Sequence, residues 1–134
     1  MKRLIMKNHM GLILLAISLS LVSFSNFFTI DDVATAMRSG NISRLSVYLD
    51  SRVDISMPDR SDSYSKSQAE MVIGDFFNSN EVRNFRIRHK GENSGSEYCV
   101  GVLETKNGDY QTTFFMRQKG DRQLLEELRF QSIQ

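Results

Sequence analysis

Tyr48, Asp50 and Asp54 sit close together in the chain, and His89, Tyr98, Tyr110 and Glu126 follow on later segments. These are the residue types that move protons. Such chemistry needs a general-base carboxylate in an apolar pocket. It also needs a donor pair, such as a tyrosine with a protonated acid, aimed at a developing oxyanion. His89 shares a strand side with Phe85 and Ile87. Its free pKa of about 6.5 suits a pocket acid or base, although a partly buried strand-end histidine with one hydrogen bond is the plainer reading. Tyr48 and Tyr98 read as core rings with wetted hydroxyls. Glu126 and Glu127 are adjacent, so a strand points them to opposite faces. Glu126 shares the phase of Leu124 and Leu128, which makes it either a pocket residue or a rim residue of a dimer.

A second cluster, "MPDRSDSYSKSQAE" over residues 57–70, is dense in serine and carboxylate and holds the chain's one proline. No histidine lies nearby in sequence to activate a serine. Met57 and Pro58 end a strand, since proline donates nothing to a central ladder. "DRSDS" reads as a polar surface crossing. Ser65 followed by Gln68 is a capping-box pattern, so "SYSKSQAE" starts a helix. Tyr64 remains a candidate rim residue of any pocket beside this crossing.

Metal chemistry has little support: no histidine or second cysteine lies at ligand spacing. Cys99 is the only cysteine, so no internal disulfide forms, and it reads as a small buried apolar residue. No cofactor motif is present.

The chain begins with a basic segment holding Lys2, Arg3 and Lys7, followed by the apolar run "GLILLAISLSLVSF" and small residues at Ser23 and Ser25. That pattern describes a secretory signal peptide over residues 1–25, cleaved near Ser25. The alternative is a retained anchor, but the run is shorter than the ~20 residues a spanning helix needs. No cysteine follows for lipid attachment. The expected mature protein is a single domain over residues 26–134, exported to the periplasm or beyond. Without residues 1–25 the net charge moves from +1 to −2. That removes the positive footprint nucleic-acid binding requires.

Within this domain, "FFTIDDVATAMRSGN" predicts a helix capped by Thr29 and Asp32, with Ile30, Val33, Ala34 and Met37 on one face and Gly40 as its stop. "ISRLSVYLD" predicts a second short helix carrying Ile42, Leu45 and Leu49. "RVDISMP" alternates as a strand. "SQAEMVIGDFFNSN" predicts a helix with Ala69, Val72, Ile73, Phe76 and Phe77 on one stripe. Four strands follow, with "GENSG", "NGD" and "KGDR" as turns. The last three form an antiparallel meander, the final one keeping Leu124, Leu128 and Phe130 in phase. Arg86, Arg88 and Lys90 form a basic stripe, extended by Arg117 and Arg129 and balanced by Glu97, Glu104 and Glu127. Gly101, Leu103, Thr113 and Phe115 are expected on the second sheet face. A sheet that is apolar on both faces must cover the outer one, which predicts a homodimer. Helices on one face of a bent antiparallel sheet make this α+β.

The segments "AMRSGNISRLSVYLDSRVDISMP", "YSKSQAEMVIGDFF" and "GDYQTTFFMRQKGDRQLLEELRF", in this order, resemble the domain-of-unknown-function 4783 family over roughly residues 28 to 132. That family consists of small exported bacterial proteins that look like members of the nuclear-transport-factor-2-like (cystatin-like) superfamily. The resemblance implies a cone: a strongly bent sheet around helices, with a pocket at its wide end. Relatives include isomerase-like, cyclase-like and dehydratase-like enzymes as well as non-catalytic binding and dimerisation modules, so function has to be argued from the site. None of the residues above matches an enzymatic motif of those relatives. The expectation is a non-enzymatic module for a small apolar ligand or for interaction. The alternative is a cofactor-free isomerase- or cyclase-like enzyme.

Overall fold

A computed structural model describes residues 28–133. The expected signal peptide and its cleavage point lie outside these residues. The elements are α1 (Ile30–Ser39), α2 (Ile42–Ser46), β1 (Leu49–Ser56), β2 (Ser61–Ser65), α3 (Lys66–Asn80), β3 (Val82–Asn93), β4 (Ser96–Thr105), β5 (Gly108–Lys119) and β6 (Arg122–Ser132). The six strands form one open, curved sheet in the order β2-β1-β6-β5-β4-β3. All neighbours are antiparallel except β1 and β6, which run parallel. Among the described residues no helix is long and apolar enough to cross a membrane.

The helices form because their caps and stripes agree. The Thr29 hydroxyl accepts from the Asp32 N–H while the Asp32 carboxylate accepts from the Thr29 N–H. Gly40 then closes α1 in the left-handed region at φ 64°. Ser65 and Gln68 make the same reciprocal pair at the start of α3. In each case two N–H groups that the helix leaves unpaired are satisfied. α1 lies against β3 and β4, and α3 against β1, β2 and α2. The space between helices and sheet is filled by Met37, Leu45, Ile73, Phe77, Phe85, Leu103, Phe114, Leu128 and Phe130, all essentially buried.

Several expectations about the sheet are corrected. Leu49 opens β1 rather than continuing α2, which ends at Ser46. The "DRSDS" crossing is not wholly irregular: Ser61–Ser65 adds a sixth strand at the sheet edge, antiparallel to β1, with Tyr64 opposite Val53. A polar edge strand needs no apolar alternation, because its outer side faces water.

Bulges overturn the phase of β3 and β6. Arg88 is an extra residue between the Ile87–Gly101 and His89–Val100 pairs. Because strand side chains alternate, one extra residue reverses everything beyond it. His89 therefore lies on the outer face, away from Phe85 and Ile87. Lys90 turns to the helix side, where it pairs with Asp31 of α1. The basic stripe is split. On β6, Glu126 is the extra residue between the Met116–Leu125 and Phe115–Glu127 pairs. Leu125, rather than Leu124, is the fully buried partner of Leu128 and Phe130. Gly101 and Leu103 pair with Ile87 and Phe85 on the inner face. The outer face carries Tyr98, Val100, Val102, Thr113 and Phe115 instead.

Candidate functional site

The helix α3 stripe is broader than the core needs. Ala69, Ile73 and Phe77 are buried, while Val72 and Phe76 stand half-buried at its margin. Beyond them the β1–β2 turn is held by a 2.7 Å hydrogen bond from the Met57 N–H to the Arg60 carbonyl. Between helix and turn lies an open cleft of about 290 Å³, lined by Met57, Pro58, Asp59, Arg60, Val72, Asp75, Phe76, Ser79 and Asn80. Its floor is apolar. Asp59, Arg60 and Asp75 form an exposed rim.

The floor is braced from behind. The Phe76 ring packs tilted on Phe130 at 4.5 Å and edge-on to Tyr110 at 5.0 Å. The Tyr110 hydroxyl donates to Asn80 Oδ1 at 3.1 Å, and Asn80 Nδ2 donates to the Phe76 carbonyl at 2.9 Å. Asn107, in the β4–β5 turn, donates to the Ser79 carbonyl. Such satisfied polar contacts fix the end of α3, and so the position of Phe76.

The residues singled out from sequence are dispersed. Tyr110 supports the cleft from behind without lining it. Tyr64 sits half-buried on β2 against the core. Tyr48 packs edge-on to Phe28 at 4.8 Å; burial, and then the Asp32 carboxylate, push its phenol up. His89 and Tyr98 meet on the outer face, with Nε2 and the hydroxyl 3.0 Å apart. Glu126 is ion-paired with Arg117 at 3.4 Å on that same face. Tyr98 and Glu126 border a second, shallow hollow of about 600 Å³ there, with Val100, Thr113, Phe115 and Arg117. The outer charges are matched: Arg86 pairs with Glu104 at 2.6 Å and Arg129 with Glu127 at 3.0 Å.

Asp50 is the described chain's one buried carboxylate. Burial alone would raise its pKa. The hydrogen bond and charge of Lys119, with the Ser51 N–H and hydroxyl, outweigh that and hold it below its ordinary value. It therefore stays ionised in a polar basin with Arg52, Asp54, Glu126 and Glu127, rather than serving as a protonated donor. Burial pushes the Cys99 thiol up to about 11, keeping it an unreactive core group.

Sequence reasoning missed most of the cleft. Its signal was present in two places: the over-wide stripe of α3, and the proline-bearing turn that follows β1.

The family model described as "Domain of unknown function (DUF4783)" matches residues 30–131. The chain belongs to the DUF4783 family. A crystal structure of a DUF4783 protein from Bacteroides uniformis is 26% identical, with a TM-score of 0.77 over 80% of this chain and 99% of that one. Another, from Bacteroides fragilis, is 29% identical, with a TM-score of 0.74 over 79% of this chain and 99% of that one. An NTF2-like protein of unknown function from Cytophaga hutchinsonii is 6% identical, with a TM-score of 0.60 over 82% and 94% of the two chains. That similarity shows the fold alone: this DUF4783 domain is an NTF2-like α+β domain. No curated protein matches the chain.

Proposed function

We propose that this DUF4783 protein is an exported, non-enzymatic module that binds a small apolar ligand in the cleft between α3 and the β1–β2 turn. The observation that carries this reading is the half-buried floor of Val72, Phe76 and Met57 beneath a polar rim. Concave, mainly apolar sites with a few polar groups are the usual form of ligand sites. The isomerase-like alternative asks for a carboxyl held in an apolar pocket. The buried Asp50 is instead ion-paired and held low, and the carboxylates nearest the cleft, Asp59 and Asp75, stand at an exposed rim. The filled interior between helices and sheet also favours binding at the margin over chemistry inside. Export rests on the signal-peptide pattern of residues 1–25.

The test is an amide-shift titration of the purified protein with 1-hexanol. Shifts gathered at Val72, Phe76 and Asn80 and abolished by Val72→Trp, which fills the cleft, are expected. An absence of localised shifts up to millimolar alcohol would overturn the reading.

A second copy of the chain is proposed as partner for the outer sheet face. Tyr98, Val100, Thr113 and Phe115 form a half-buried patch there, edged by the matched Arg129–Glu127 and Arg117–Glu126 pairs. Such a patch, apolar at its centre and charge-balanced at its edge, has the anatomy of a protein interface.

A further inference from the structure

We propose that the cleft selects an amphipathic organic cation: an apolar body on Val72, Phe76 and Met57, with an ammonium group between the rim carboxylates. This rests on the cleft being a ligand site. Two independent observations point to positive charge. The first is the rim itself. Asp59 and Asp75 line the cleft, and among the described residues neither takes part in an ion pair. Among the described residues Arg60 is the only cation lining it, so these lining residues carry a net charge of −1. On the outer face, by contrast, the carboxylates of Glu104, Glu126 and Glu127 each have an arginine.

The second is the end of α3. Ser79 and Asn80, in its last turn, line the same cleft, and that turn holds no basic residue. The carbonyls there are satisfied by neutral donors: the Asn80 and Asn107 amides and the Glu81 N–H. Their hydrogen bonds are made, yet the partial negative charge of the helix end is left uncompensated. The nearby cation, Lys106, is itself engaged with Glu81 at 4.0 Å. The last turn of α3 and two carboxylates without ion-pair partners among the described residues therefore line the same cleft. A ligand ammonium there adds Coulomb attraction to the burial of its chain, whereas a carboxylate would be repelled.

The probes are hexylammonium, 1-hexanol and hexanoate, which share one apolar body. Each is titrated into the purified protein and followed at the Val72, Phe76 and Asn80 amides. Hexylammonium is expected to bind about two- to fivefold more tightly than hexanol at low ionic strength, the size of an exposed charge contact. Added salt or the double variant Asp59→Asn, Asp75→Asn should remove that preference while hexanol binding stays unchanged. If hexanol binds as tightly as the amine, or hexanoate more tightly, cation selection is overturned and the apolar site stands. If none of the three binds at these residues, the ligand site itself fails.

Discussion

The Phe85 ring fills the space above Gly101 on the neighbouring strand. A Cβ at Gly101 would overlap that ring and come within 2.7 Å of the Arg86 carbonyl oxygen. On the opposite face of the same two strands, the Tyr98 ring covers Gly91, within 2.5 Å of where a Cβ would stand. Two glycines one strand apart thus let aromatic rings lie flat on the sheet, one inward and one outward, on either side of the bulge at Arg88.

The two sites should respond differently to the same methyl group. Gly101→Ala forces a clash with backbone and with a fully buried ring, so it should cost about 1–3 kcal/mol, the usual range for overpacking. Gly91→Ala meets only the end of a half-exposed side chain that can swing into solvent, so its cost should be smaller. Urea unfolding of both variants measures the difference. Equal losses would show that Tyr98 is as tightly held as Phe85.

The caps give a second prediction. Ser65 accepts from the Gln68 N–H at 3.3 Å, and Gln68 returns the bond to the Ser65 N–H at 3.2 Å. Ser65→Ala should cost about 0.5–2 kcal/mol, and Ser65→Asp should restore most of it, because an acid also suits the positive end of the helix. No loss in the alanine variant would remove the cap from the stability of α3.

These caps were legible in the sequence because they are local: Thr29 with Asp32, and Ser65 with Gln68, each lie within one turn. The apolar stripes of α1 and α3 were legible for the same reason. The bulges at Arg88 and Glu126 were not, since a bulge is defined by the partner strand, and the register of β3 on β4 is absent from either segment alone. The misplaced His89, Lys90, Leu124 and Glu126 follow from them; Gly101 and Leu103 lie on the unbulged β4, where pairing with Ile87 and Phe85 sets the face. The cleft was half legible. Residues 57–60 stood out as a turn and Phe76 as a stripe residue, but only the antiparallel return of β2 brings the turn against α3.

The Asp50–Lys119 pair predicts a specific acid limb. The folded carboxyl has a pKa below its ordinary 3.8, so the unfolded chain takes up the proton first as pH falls. The pair's contribution is complete above that ordinary value and is lost as pH falls through 3.8 toward the folded value. Asp50→Asn should therefore be less stable than the parent at neutral pH, and the gap should close in strong acid. Lys119→Met leaves a nearly buried carboxylate without its cation and should cost about 1–3 kcal/mol at neutral pH. Thermal unfolding from pH 2 to 7 checks both. A gap for Asp50→Asn that is independent of pH would show that the pair does not titrate as the structure implies.

The outer face makes the proposed second copy testable at one residue. Phe115 stands in a cross-strand row with Tyr98 and Glu127, and the Arg129 guanidinium lies 5.4 Å from its ring centroid. Its side chain is half-buried in the single chain, so the part left exposed is what a partner would cover. Phe115→Asp would put an unpaired carboxylate at the centre of the patch, next to Glu127, and a symmetric pairing would bring two such charges together. Burying unpaired like charges costs far more than an exposed substitution does, so this variant should sediment as a monomer at tens of micromolar where the parent sediments as a dimer. Its folding should be little changed, because the position faces solvent in the isolated domain. A parent that is itself monomeric at that concentration would leave the outer face as solvated surface, its arginine–glutamate pairs serving solubility alone.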